Sequence, residues 1–244
     1  MNGRIGLSAK KVALALGMGV VLVAAGCANK PGSAPCDGDI DLQVGYPAAA
    51  NEPGWWQADT RVGGTSSISE GYPNVLGYGC SALELTTDAT NEAKAQAFTY
   101  EDVGVDLSTV NDVSYWAYRD PSSTGDPQVT ASLNIELYGA DVIDTAGNPN
   151  GYTTLVYEPY LQAGGGSAVL TAQWQEWDAS AGVWWSTRAT NDQPTRSVLL
   201  TWSEIQAAYP GAVLGGFGAN LGSYNPDQTV AVDGLVVGSN TADF

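Results

Sequence analysis

From residue 37 onward, apolar and polar positions alternate in short runs, and Gly, Pro, Asn and Asp interrupt the runs before they reach helical length. Period-two runs separated by turn residues predict strands, and many of them in succession predict two packed sheets. In 81–87, Leu83 and Leu85 fall on one face and Glu84 and Thr86 on the other. Segments 113–118, 129–138 and 153–158 predict further strands, the last stopped by Pro159. Residues 141–151, rich in Asp, Asn and Gly, predict a long turn between two of them. Segments 169–177 and 183–187 predict a hairpin closed by 178–182, and 197–200 a short strand. Segments 213–221 and 229–237 close the domain, the second mostly apolar as a central strand is. One helix is expected over 202–209, where Thr201 and Glu204 have capping-box spacing and Pro210 ends the run. Trp55 and Trp56 lie in a segment without this period and predict a loop.

The N-terminus has a different pattern. Arg4, Lys10 and Lys11 precede an uncharged stretch over 12–26, shorter than the ~20 residues a membrane-spanning helix needs. That is the layout of an export signal. The stretch ends in Val23-Ala-Ala-Gly-Cys27, which resembles the bacterial lipobox, with Ala24 where an aliphatic residue such as Leu is usual. The resemblance implies cleavage before Cys27 and lipid on its thiol. An ordinary secretory cleavage near the same run and a retained anchor are the alternatives. The expected organisation is a signal over 1–26, a Pro-, Gly- and Ser-containing tether over 27–36, and one β domain over 37–244.

Loss of the signal removes three of the nine basic residues and none of the 26 acidic ones, so the mature chain has a net charge of −20. That charge argues against nucleic acid as a partner, and leaves the lipid as the only expected link to a membrane. If Cys27 is lipidated, Cys36 and Cys80 remain as an even pair in an oxidising compartment. A bridge between them would close about 44 residues of chain, worth roughly 4 kcal/mol in the chain-entropy model. Two free thiols are the alternative. The sequence has no histidine, which removes Ser-His-Asp and Cys-His catalysis and every His-ligated metal.

Four segments in order carry a wider likeness: Ser81-Ala-Leu-Glu-Leu85 after a Gly-containing turn, Asp106-Leu-Ser108 before a Tyr/Trp strand, Thr201-Trp-Ser-Glu-Ile205, and Val232-Asp-Gly-Leu-Val-Val237. Together they resemble the jelly-roll, galactose-binding-like domains of secreted bacterial proteins, which include many carbohydrate-binding modules. The likeness implies an all-β, two-sheet jelly-roll β-sandwich with one short helix near 202–209. It also implies a structural calcium where the first and last strands meet, with Asp233 matching the last-strand carboxylate and Asp39 or Asp41 as partner ligands. A solvated acidic strand edge is the alternative for those acids. The spacing of Asp37, Asp39 and Asp41 is not an EF-hand, since Leu42 and Ala48 stand where Gly and Glu belong. Asp141, Asp144, Asn148 and Asn150 form a second acidic loop, with turn chemistry as the simpler reading.

Aromatics supply the leading binding candidate. Trp174, Trp177, Trp184 and Trp185 crowd one expected hairpin, with Tyr157 and Tyr160 nearby. Adjacent strand residues point to opposite faces, so Trp184 and Trp185 cannot both be core. An outward indole is a platform for a sugar ring; the alternative is packing under a loop or an arginine stem. Glu136, Glu158 and Glu176 lie on expected strands, but no tight acidic cluster suits a glycosidase. The expected function is therefore a non-catalytic, envelope-displayed module. Its ligand would be a glycan or other cell-envelope polymer held by some of Trp174, Trp177, Trp184, Trp185 and Tyr160. A surface protein is the alternative partner, and a glycoside hydrolase or lyase with unrecognised carboxylates the third reading.

Overall fold

The computed structural model describes residues 40–75, 78–140, 151–162, 168–188 and 198–244. The expected signal and tether, Cys27, Cys36, Asp39 and the acidic loop over 141–150 lie outside them. In chain order the strands are β1 (Leu42–Gln43), β2 (Trp55–Trp56), β3 (Gly64–Ser69), β4 (Ala82–Thr87), β5 (Ala95–Thr99), β6 (Val113–Arg119) and β7 (Ser132–Tyr138). They continue with β8 (Thr153–Tyr157), β9 (Trp174–Asp178), β10 (Val183–Ser186) and β11 (Leu200–Thr201). After helix α1 (Trp202–Ala208) come β12 (Val213–Leu221), β13 (Gln228–Val237) and β14 (Asn240–Ala242).

Two sheets face each other, as the alternating runs predict. One has eight strands in the order β1-β2-β5-β12-β7-β8-β10-β11; the other has the order β3-β4-β13-β6-β9, with β14 also on β13. Neighbours are antiparallel except β1 and β2, which run parallel. Inward positions are apolar on both: Leu83, Leu85, Tyr115, Val230 and Val232 from the five-strand path, and Leu133, Ile135, Leu155, Phe217 and Ala219 from the eight-stranded sheet. Outward positions alternate with these, so register alone fixes which side chains the two outer faces present.

The expected hairpin at 169–187 is corrected. β9 pairs with β6 in one sheet and β10 with β8 and β11 in the other. The connection at 179–182 passes from one sheet to the other instead of turning within a sheet. Ala179 is buried, and both its N–H and that of Ser180 donate to the Val113 carbonyl. Trp177 and Trp184 therefore enter the core from facing sheets. Trp184 is sealed between Tyr157, at 5.5 Å between ring centroids, and Trp202 of α1, at 5.0 Å. Its Nε1 donates to the Ala179 carbonyl at 2.8 Å, so the crossing and the indole hold one another.

The helix matches its expected capping box: the Thr201 hydroxyl accepts from the Glu204 N–H, and the Glu204 carboxylate accepts from the Thr201 N–H. Trp55 and Trp56 are also corrected. They form the short strand β2, antiparallel to β5, and both are buried, Trp55 in the main core and Trp56 on the opposite face.

Candidate functional site

The five expected aromatic ligands do not converge. Trp177 and Trp184 are core and present no surface. Trp174 is opposite Tyr118 on the outward face of the five-strand path, where it clusters with Tyr72. Both polar ends there are used internally: Trp174 Nε1 donates to the Pro73 carbonyl, and the Tyr72 hydroxyl donates to Glu84 at 2.6 Å. Segment 70–75 is thereby tied down over this face. Trp185, by the parity expected of it, faces outward from the eight-stranded sheet, opposite Val156. Its Nε1 and the Tyr160 hydroxyl both donate to the Glu158 carboxylate, at 2.8 and 3.1 Å.

That outward face carries much more than Trp185. Crossing the strands, it presents Trp56 from β2, Phe98 from β5 with Tyr100 just beyond it, Asn220 from β12, Asn134, Glu136 and Tyr138 from β7, and Thr154 and Val156 from β8. Trp56, Ala58, Phe98 and Tyr100 pack as a cluster separate from the main core. Three polar atoms on this face are buried without a hydrogen-bond partner: Trp56 Nε1, Tyr100 Oη and Asn220 Oδ1. Their residues are only 6, 7 and 7 % exposed. A native fold rarely leaves such groups unmatched, and each costs about 1–3 kcal/mol when it does.

Glu136 lies at the centre. Tyr152 donates its hydroxyl to Glu136 Oε1 at 3.0 Å and also meets Thr154. Burial pushes the Glu136 carboxyl above its ordinary range; Tyr152 and the Lys94 ammonium oppose the rise, and the Asp59 carboxylate adds to it. Asp59 shifts the other way, held low by bonds from Arg61 and Lys94 against its own desolvation. Lys94 Nζ is 2.6 Å from Asp59 and Arg61 is 3.1 Å from it, so both cations near the site are already engaged.

A backbone irregularity gathers the rings. The ladder between β12 and β7 slips between Leu214 and Gly216, leaving Gly215 as an extra residue. A bulge lets consecutive positions share a face, which a regular strand forbids. The Tyr138 ring lies 2.5 Å from where a Cβ on Gly215 would stand, and the Tyr100 ring 2.7 Å from that of Gly216. Only glycine leaves room for both. Tyr100 in turn meets Tyr46 at 6.3 Å, and Tyr138 meets Tyr152 at 5.5 Å, each pair tilted rather than stacked.

The expected calcium ligands are differently placed. Asp233 is 1 % exposed and accepts from the N–H groups of Gly234 and Phe244, at 2.8 and 3.1 Å. It joins the last long strand to residue 244 through backbone. Asp41 is exposed and lines a cavity of about 430 Å³ with Glu101 and Asp243. Among the described residues no three His, Cys, Asp or Glu side chains form a group able to hold a metal. Of the three glutamates considered for catalysis, Glu136 and Glu158 share the outward face of the eight-stranded sheet, while Glu176 faces away on the other.

Tyr46, Trp56, Tyr100, Tyr138, Tyr152 and Asn220 were not expected from the sequence. One signal was available for part of the set: with Leu133, Ile135 and Leu137 inward, the other parity of the same strand reads Asn134, Glu136, Tyr138. No protein-family model, no curated protein and no solved structure matches the chain.

Proposed function

We propose that this chain is a lipid-anchored binding module of a bacterial envelope, and that the outward face of its eight-stranded sheet holds a glycan or related envelope polymer. The observation that carries the reading is the run of rings that reach the surface on that face: exposed Tyr46 and half-buried Tyr138, Tyr152 and Trp185, beside the half-buried Glu136. A hydroxyl-rich ligand supplies both donors and acceptors, and the neighbouring rings give it apolar area. The six strands from β2 to β10 are roughly 24 Å across at about 4.8 Å per step, enough for several sugar rings. Trp185 marks the far end of this span, and Trp174 belongs to the opposite, internally satisfied face.

The test uses the mature chain, made without residues 1–26 and with Cys27→Ser. Pull-down against a panel of insoluble polysaccharides and isolated cell wall should retain it on at least one. Tyr100→Ala should lower retention roughly tenfold, and Trp174→Ala, on the other face, should leave it unchanged. Retention on none of the polymers defeats the glycan reading. Attachment has its own test: the full chain should incorporate labelled palmitate and partition with membranes, and Cys27→Ser should lose both. A labelled Cys27→Ser chain would contradict the anchor.

A further inference from the structure

The tyrosines around Glu136 have a chemistry that a neutral sugar does not use. Glu136 is largely removed from water, yet its carboxylate touches no ammonium or guanidinium among the described residues. Lys94, whose charge reaches Glu136, is bound to Asp59. A desolvated carboxylate without a counter-ion is costly, and a cation from outside relieves that cost. Around it stand four phenol rings. Tyr46 and Tyr100 are tilted at 49°, Tyr138 and Tyr152 at 52°. The bulge sets the rings of Tyr100 and Tyr138 over two consecutive glycines, so the two tilted pairs adjoin. The Tyr100 hydroxyl is buried and unmatched, and of its neighbours here Glu136 is the one that carries charge.

We infer that Tyr46, Tyr100, Tyr138 and Tyr152 with Glu136 form an aromatic cage for an organic ammonium group. Ring faces attract a cation through their quadrupoles, and the carboxylate supplies the opposite charge. Tyr46, at 59 % exposed, stands at the open side. The acidic chain as a whole draws cations toward the site. The inference deepens the proposed function, since it rests on the same face and names an amine-bearing polymer as the ligand class. It stands without that reading as well, because a free ammonium ion would be bound alone.

The probe is tetramethylammonium, with tert-butanol as its uncharged counterpart of similar shape. Both are titrated into the mature chain at neutral pH while tyrosine ring signals are followed by NMR. Tetramethylammonium should give saturable shifts at Tyr100, Tyr138 and Tyr152, and tert-butanol should give none that saturate. Glu136→Gln should weaken the ammonium roughly tenfold, and Tyr152→Leu comparably. Each variant is first matched to the wild type by backbone NMR. Equal response to the two probes, or unchanged affinity in a folded Glu136→Gln, overturns the cage. Failure of the cage with polysaccharide retention intact leaves the glycan reading standing. Saturable ammonium binding without retention on any polymer supports the cage and sinks that reading.

Discussion

Trp184→Ala should destabilise the domain by about 3–5 kcal/mol, while the same change at Trp185 costs about 1 kcal/mol. The contrast follows from the crossing at 179–182. Trp184 fills the space between Tyr157 and Trp202, and its indole N–H is the side-chain bond that fixes the Ala179 carbonyl of the crossing segment. Its removal leaves a cavity beneath α1 and leaves the Ala179 carbonyl with only the longer bond from the Gly182 N–H, at 3.3 Å. Domains are stable by only about 5–15 kcal/mol, so the variant should unfold at much lower denaturant or fail to accumulate folded. Trp185 is half-buried on the outer face and loses a bond to Glu158 and part of its packing. Urea unfolding of both variants measures the difference. Equal losses would mean that the inward and outward assignments on β10 are wrong.

Acidification from pH 7 to about pH 5 should stabilise the domain, and Asp233→Asn should remove most of that gain. Burial raises the Asp233 carboxyl to about 6, with Asp243 adding to the rise and the bonds from Phe244 and Gly234 opposing it. An unfolded aspartate releases its proton near pH 4. Between those values the folded chain holds a proton that the unfolded chain has lost. Stability from this group is therefore full at low pH and is lost as pH rises through 6. The expected swing is about 1–3 kcal/mol. Glu136 is raised too and shifts stability in the same direction, so the informative quantity is the wild-type slope minus that of the variant. Asp59, Asp88, Asp106 and Glu204 are held low and reverse the trend at more acidic pH. Thermal unfolding from pH 5 to 7.5 reads the slope, and identical slopes in the two proteins would contradict a buried, proton-retaining Asp233.

Fold class was legible because the core-facing strands have clean alternation: Leu83 and Leu85, or Leu133, Ile135 and Leu137, leave little choice of face. The strands missed are those whose residues are poor strand formers or too few to show a period. β5 reads Ala-Gln-Ala-Phe-Thr, with small alanines where a core strand usually has branched residues, and β3 reads Gly-Thr-Ser-Ser-Ile-Ser at a sheet edge. β2 has two residues. Local pattern also cannot tell a hairpin from a crossing. Four residues join β9 to β10, a length that suits either, and the choice depends on which sheet has an open neighbour, β6 or β8.

The site was less legible for the same reason. Trp184 and Trp185 could be divided by parity, and they divide that way. The cluster of Trp174, Trp177, Trp184 and Trp185 in sequence was no guide to proximity on a surface, because the crossing distributes them over the core and two opposite faces. The rings that do gather around Glu136 come from positions 46, 100, 138 and 152, and a bulge at Gly215 helps gather them; the consecutive glycines 215 and 216 inside an expected strand read as close-packing glycines, which does not say which rings they admit. The Cys36–Cys80 bridge is an expectation from cysteine count, to be read by mass spectrometry of the non-reduced mature chain: a mass two hydrogen atoms lighter than the reduced form.

Amide hydrogen exchange of the mature chain, with and without a retained polymer, bears most directly on the claim that the outward face of the eight-stranded sheet is the ligand surface. Ligand on this face should slow exchange in peptides covering β5, β7, β8 and β12 and leave β4, β6 and β9 unchanged. Protection confined to β6 and β9, around Tyr72, Tyr118 and Trp174, would contradict the assignment.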